Sequence, residues 1–235
     1  MTRAELASRI DHTLLAPEAT EADARRLAAE ALEHGFAAVC VNPIFVSPVR
    51  EALGPAREGA PALCAVASFP LGATTPMARA IDATQSVKAG ADEIDLVPWL
   101  PRLIAHDEDG LRADLLETVQ AVRAANPACV VKVILETAAL RAAAATDAEF
   151  ESMIRAGCAA ARRAGCDFVK TSTGFHPAGG VTIQAVRLMK THAAGLKVKA
   201  SGGIRGYDAA RAMLDAGADR LGASASLAIL AGAPA

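Results

Sequence analysis

Residues 164–170 read Ala164-Gly165-Cys166-Asp167-Phe168-Val169-Lys170, an alanine-rich helical run that stops at a glycine and passes into an apolar strand. A glycine just past the last periodic residue is a helix C-cap, and it hands the chain to an extended segment. The same phrase, Ala-Gly-(Ala/Cys)-Asp, returns at 89–92 and 216–219, so a helix-to-strand unit is being repeated. It carries no chemistry by itself. Outward from it, candidate strands centre near Asp11 (the weakest), Val39, Ala65, Ile94, Val133, Val169, Val198 and Leu221. They recur roughly every 30 residues, the length of one βα unit. Helix starts lie between them. Thr20-Glu21-Ala22-Asp23 is a capping box before a run ending at His34-Gly35, and Pro76 opens a helix ending at Lys88-Ala89-Gly90. Thr146-Asp147-Ala148-Glu149 opens another, and Tyr207-Asp208 leads into one ending at Ala216-Gly217. Eight units in 235 residues predict an α/β fold, a single-domain (β/α)8 TIM barrel over residues 1–235. A doubly wound open sheet is the competing architecture, but its glycine turn after the first strand is missing.

Composition narrows the partners. The chain is 52% hydrophobic and 21% charged, which excludes disorder. Alanine supplies about a quarter of it, so the mean hydropathy of +0.27 comes from short side chains. No run of about 18 apolar residues and no signal-peptide core are present, so no membrane partner is expected. A net charge of -2 with 3% aromatics argues against a nucleic-acid surface and for a small metabolite. Cys40, Cys64, Cys129, Cys158 and Cys166 form no CxxC, which suits free buried thiols in a cytoplasmic protein. Histidines are scattered without an HExxH, so no metal site is expected.

The basic residues are unevenly chosen. Of 24 cations only six are lysine: Lys88, Lys132, Lys170, Lys190, Lys197 and Lys199. Strand alternation predicts where three of them point, because every second residue of a barrel strand faces the interior. In Val130-Val131-Lys132-Val133-Ile134-Leu135-Glu136, the residues Lys132, Ile134 and Glu136 share the inward parity. Phe168, Lys170 and Ser172 do so on the next strand, Lys199 and Ser201 on the one after, and Asp95 between Ile94 and Leu96. Glu136 is a candidate partner for Lys132 and need not do more. Three lysines and one aspartate therefore converge on one interior. A structural salt-bridge network is the plain alternative. Against it, two ammonium groups about 4 Å apart repel by about 4 kcal/mol at an effective dielectric near 20. Desolvation acts the same way, so one lysine is expected to fall from about 10.4 to about 7. A neutral amine attacks carbonyls, and arginine cannot replace it. The residues alone thus point to Schiff-base chemistry. Glycine-rich turns after strands seven and eight, with Gly202, Gly203, Gly222 and Ser224, read as a phosphate pocket, to which Thr173 adds a hydroxyl.

At these residues the chain resembles the deoxyribose-phosphate aldolase family. The motifs run nearly end to end: Ile10-Asp11-His12-Thr13-Leu14-Leu15, Val39-Cys40-Val41-Asn42-Pro43, Ser68-Phe69-Pro70-Leu71-Gly72, Glu93-Ile94-Asp95, and Val131-Lys132-Val133-Ile134-Leu135-Glu136-Thr137. The most specific are Phe168-Val169-Lys170-Thr171-Ser172-Thr173-Gly174-Phe175 and Val198-Lys199-Ala200-Ser201-Gly202-Gly203-Ile204-Arg205. The resemblance implies a class I aldolase that reversibly cleaves 2-deoxy-D-ribose 5-phosphate to D-glyceraldehyde 3-phosphate and acetaldehyde. It implies Lys170 as the imine-forming residue, Lys199 as the cation lowering the Lys170 pKa, and Asp95 as the acid/base. Lys132, Asp11 and Cys40 fall on positions that line or support the site. No cofactor is implied; the partners are a phosphosugar and aldehydes, with a homodimer as the one protein partner left open. A transaldolase-like enzyme, a phosphosugar isomerase and a non-catalytic phosphosugar-binding barrel are the alternatives. The chain departs from relatives at Leu96-Val97-Pro98-Trp99, at His176-Pro177, and at Ala225, where the family often has a second serine. The tail, Ala231-Gly232-Ala233-Pro234-Ala235, is expected to be loose.

Overall fold

Gly165 ends the helix Asp147–Ala164 in the left-handed conformation, φ 84°, and the chain turns at once into a strand. In the computed structural model, which describes residues 1–234, this happens around a closed ring. Its strands are β1 (Ile10–Leu14), β2 (Ala38–Val41), β3 (Ala62–Ala67), β4 (Glu93–Leu96), β5 (Val130–Ile134), β6 (Phe168–Lys170), β7 (Lys197–Ser201) and β8 (Arg220–Ala223). All pair in parallel and in sequence order, and β1 closes on β8. The fold is the expected (β/α)8 barrel. Helices lie between successive strands, and short extra ones follow β4, at Leu100–Ile104, and β5, at Thr137–Ala143. The predicted helix starts hold. Thr20 forms its capping box with Asp23, Thr146 accepts from the Glu149 N–H, and Pro76 opens its helix.

The repeated aspartate has a structural purpose that its spacing alone did not disclose. Each one reaches back to the first strand residues of the preceding unit. Asp92 Oδ2 accepts from the Leu63 N–H at 2.8 Å, Asp167 Oδ2 from Val131 at 2.7 Å, and Asp219 Oδ2 from Val198 at 2.8 Å. Each also pairs with a cation, respectively Arg50, Arg123 and Lys190. These three clasps satisfy strand-end donors at the N-terminal rim of the barrel.

Strand alternation sorts the core into two. Outward residues such as Val39, Ile94, Val131, Val133, Val169, Val198 and Leu221 join one large apolar cluster with the helices. Inward, a small separate cluster of Leu15, Cys40, Cys64 and Val66, with Phe69 against it, fills one side of the barrel. The other side is charged. The end of the chain differs from expectation: the helix Ser226–Ala231 is followed by a buried Ala233, so the tail packs onto the core, while Ala235 lies outside the described residues. Among the described residues, no helix is long and apolar enough to cross a membrane.

Candidate active site

Four neighbouring strands deliver the charged side. Asp95 and Lys132 are register partners across β4 and β5, and Lys170 and Lys199 across β6 and β7. All four are buried, as parity predicts. Their head groups meet on one carboxylate. Asp95 Oδ1 accepts from Lys132 Nζ at 2.7 Å, and Asp95 Oδ2 from both Lys170 Nζ and Lys199 Nζ at 2.7 Å.

Three further charges complete the network, and only one of them stood among the sequence candidates. Asp11 lies in β1, where its Oδ2 is 2.5 Å from Lys199 Nζ and its Oδ1 accepts from Arg220 Nε at 2.6 Å. It acts in the strand as an ion-pair partner. Glu93 lies 2.6 Å from Lys132 Nζ and 3.4 Å from Arg220. Glu93 shares the inward parity of Asp95, and Arg220 opens β8, so both carried a positional signal. Parity does not say which strands meet across the barrel.

Two of these lysines stay charged because of the carboxylates beside them. Burial disfavours the Lys199 ammonium, but Asp11 and Asp95 outweigh it and hold the group above its ordinary value. Burial is likewise outweighed at Lys132, chiefly by Asp95. Asp11, Glu93 and Asp95 stand among the lysines and offset their mutual repulsion. Burial pushes Asp95 up, yet Lys132, Lys170 and Lys199 hold it well below the usual carboxylate range. Asp11 is lowered to about 2 because Lys199 and Arg220 overcome its burial.

A cavity of about 420 Å³ opens at the C-terminal ends of the strands. Of the three interior lysines, Lys170 alone stands on its wall. The same cavity is lined by Gly202, Gly203, Gly222 and Ser224, together with Ser201 and Arg205. Gly202 and Gly203 adopt positive φ, 100° and 86°, which leaves their backbone at the cavity surface. Gly222 has a second task. A Cβ there would stand 2.9 Å from Ser201 Cβ and 3.1 Å from Lys199 Cε, so its bareness makes room for the Lys199 stem.

Two expectations change. Glu136 does not pair with Lys132; it sits past the end of β5 at φ 51°, where strand parity no longer applies. It accepts instead from Thr173, from the N–H at 3.2 Å and from Oγ1 at 2.5 Å. The Thr173 hydroxyl proton is therefore committed, although the residue lines the cavity. Ala225 begins the last helix without a side-chain cap, and the Ser226 hydroxyl is spent on the Ala223 carbonyl, so no hydroxyl replaces the missing serine. Around Pro98, the bare Gly72 leaves room for the Pro98 carbonyl, and buried Asp114 accepts from Trp99 N–H and Arg79.

A barrel with an amine on its cavity wall, backed by a shared carboxylate and beside glycine-rich turns, suits an aldolase-type (β/α)8 enzyme. Residues 6–233 match the family described as DeoC/LacD family aldolase, and the chain belongs to that family. It is similar to the deoxyribose-phosphate aldolase of Mycobacterium avium (strain 104), 48% identical over 98% of each chain. The protein of that name from Kocuria rhizophila is 47% identical, covering 99% of this chain and 98% of the relative. Among solved structures, the deoxyribose phosphate aldolase of Aeropyrum pernix has a TM-score of 0.85 at 34% identity, covering 98% of this chain and 91% of that one.

Proposed function

We propose that this chain is a class I aldolase that reversibly cleaves 2-deoxy-D-ribose 5-phosphate to D-glyceraldehyde 3-phosphate and acetaldehyde. The observation that carries the reading is the placement of Lys170: it touches both the cavity and Asp95, whereas Lys132 and Lys199 stand behind it. The neutral Lys170 amine attacks the substrate aldehyde, and loss of water leaves a protonated imine. C–C cleavage then sends its electron pair into that imine while the substrate hydroxyl loses its proton. Protonation of the resulting enamine and hydrolysis release acetaldehyde and restore the lysine. The imine is the electron sink, so the steps call on no cofactor.

Asp95 is suited to pass protons because one of its oxygens already accepts from both Lys170 and Lys199. Lys199, held as a cation by Asp11, stays charged when Lys170 gives up its proton, and Lys132 holds the other Asp95 oxygen in place. Gly202, Gly203, Ser224 and Arg205 fit a phosphate in the same cavity. The barrel is read as one catalytic domain. Its five free, buried thiols fit a cytoplasmic setting. Self-association is part of the reading, and the Aeropyrum pernix relative is described as tetrameric; light scattering reads this out.

Acetaldehyde with borohydride tests the assignment. A reduced adduct is expected on Lys170 by peptide mapping, and Lys170→Arg should lower turnover by about three orders of magnitude or more with melting little changed. An adduct on another lysine, or none, would sink it.

A further inference from the structure

Two thiols that the aldol steps leave unused sit against the shared carboxylate. Cys40 on β2 and Cys64 on β3 are register partners, and both face the barrel interior, wholly buried. Cys64 Sγ lies 3.1 Å from Asp95 Oδ1. One ligand atom from each of Cys40, Cys64 and Asp95 lies within 4.8 Å of the other two. A tetrahedral d10 cation binds thiolate sulfur at about 2.3 Å and carboxylate oxygen at about 2.0–2.2 Å, so ligand atoms around it stand about 3.6–3.8 Å apart. The three groups reach that spacing if the widest pair closes by at most about 1 Å. We propose that Cys40, Cys64 and Asp95 form a site for a thiophilic divalent cation, zinc or cadmium in class, whose binding silences Lys170 by taking its carboxylate partner.

The surrounding ammonium groups do not forbid this, because the exchange is neutral. One divalent cation enters and one proton leaves each thiol, so the charge among Lys132, Lys170 and Lys199 is unchanged. Lys132 Nζ lies 3.3 Å from Cys64 Sγ and 2.7 Å from Asp95 Oδ1, so it withdraws to Glu93, already 2.6 Å away, as the cation arrives. Each thiol gives up its proton as the cation arrives, so binding tightens as pH rises. Two sulfurs and one oxygen select against magnesium and calcium, which want six or more oxygens. The cation reaches the site from the cavity by displacing Lys170, which spans the cavity wall and Asp95. Sequence spacing could not show the site because its ligands come from three different strands.

The silencing rests on the aldolase reading; the binding does not. The test is a cadmium titration of the reduced full-length chain, followed by the thiolate-to-cadmium charge-transfer band and by proton release in weak buffer. One equivalent per chain is expected, with about two protons per ion and parallel loss of the acetaldehyde–borohydride adduct on Lys170. Magnesium should produce none of these. Cys64→Ala and Cys64→Ser should weaken cadmium binding by about a hundredfold or more and keep the adduct in its presence. Replacement of Cys129, Cys158 and Cys166 by alanine should leave the titration unchanged. No band in the unmodified chain, or an equal band in both Cys64 variants, overturns the site. A band with the adduct intact overturns the silencing. If no adduct forms even without cadmium, the aldolase reading has failed, and band and protons still decide the site.

Discussion

Strands β2 and β3 alternate as β4 to β7 do, yet the two groups send opposite chemistry into the barrel. The first pair contributes Cys40, Cys64 and Val66, which pack with Leu15 and Phe69. The others contribute Glu93, Asp95, Lys132, Lys170 and Lys199, all buried. The apolar half gives the charged half its strength. With packed apolar side chains on that side, each ion pair works in a lower dielectric than at the surface, and each unpaired charge costs more. The halves should therefore differ sharply in their response to small changes.

The largest expected effect is on Asp95. Asp95→Asn keeps the shape but leaves three ammonium groups short of one anion, and removing one partner of a buried ion network costs about 3–5 kcal/mol. Val66→Ala, on the neutral wall, deletes two methyl groups and should cost about 2 kcal/mol. Denaturant midpoints compare them, and equal losses would break the contrast. A smaller effect sharpens the role of Gly222. Gly222→Ala crowds Lys199 Cε, so kcat should fall about ten- to a hundredfold with KM little changed; a rise in KM alone would place Gly222 at the phosphate instead. The smallest is the acid limb of stability. Asp11 is lowered from 3.8 to about 2, so its contribution is fully present above its unfolded value and is lost as pH falls from about 4 to about 2. Roughly 2 kcal/mol should disappear in that window, and Asp11→Asn should flatten it.

The spacing of strands and the alternation within them were legible in the sequence because both are local. Parity placed Asp95, Lys132, Lys170 and Lys199 inside without knowledge of any contact. The lysine excess itself was misjudged. Glu93 and Asp11 supply counter-charges from β4 and β1 while Arg220 adds a cation from β8, and which residues meet across a closed ring depends on the stagger of the strands, which no single strand encodes. Glu136 failed as a partner for Lys132 for a related reason, since parity ends where the strand does. Thr173 was placed at the cavity correctly, but its hydroxyl had already found that same Glu136.

Asp95 divides its two oxygens among three lysines that arrive from three different strands. Neutral single replacements at 95, 132, 170 or 199 each leave an odd charge inside the barrel, so selection one position at a time will disfavour them at all four. A combinatorial library that seeks new substrates does better to spare these four and vary Ser224, Arg205 and Phe175 at the mouth, where solvent absorbs the change.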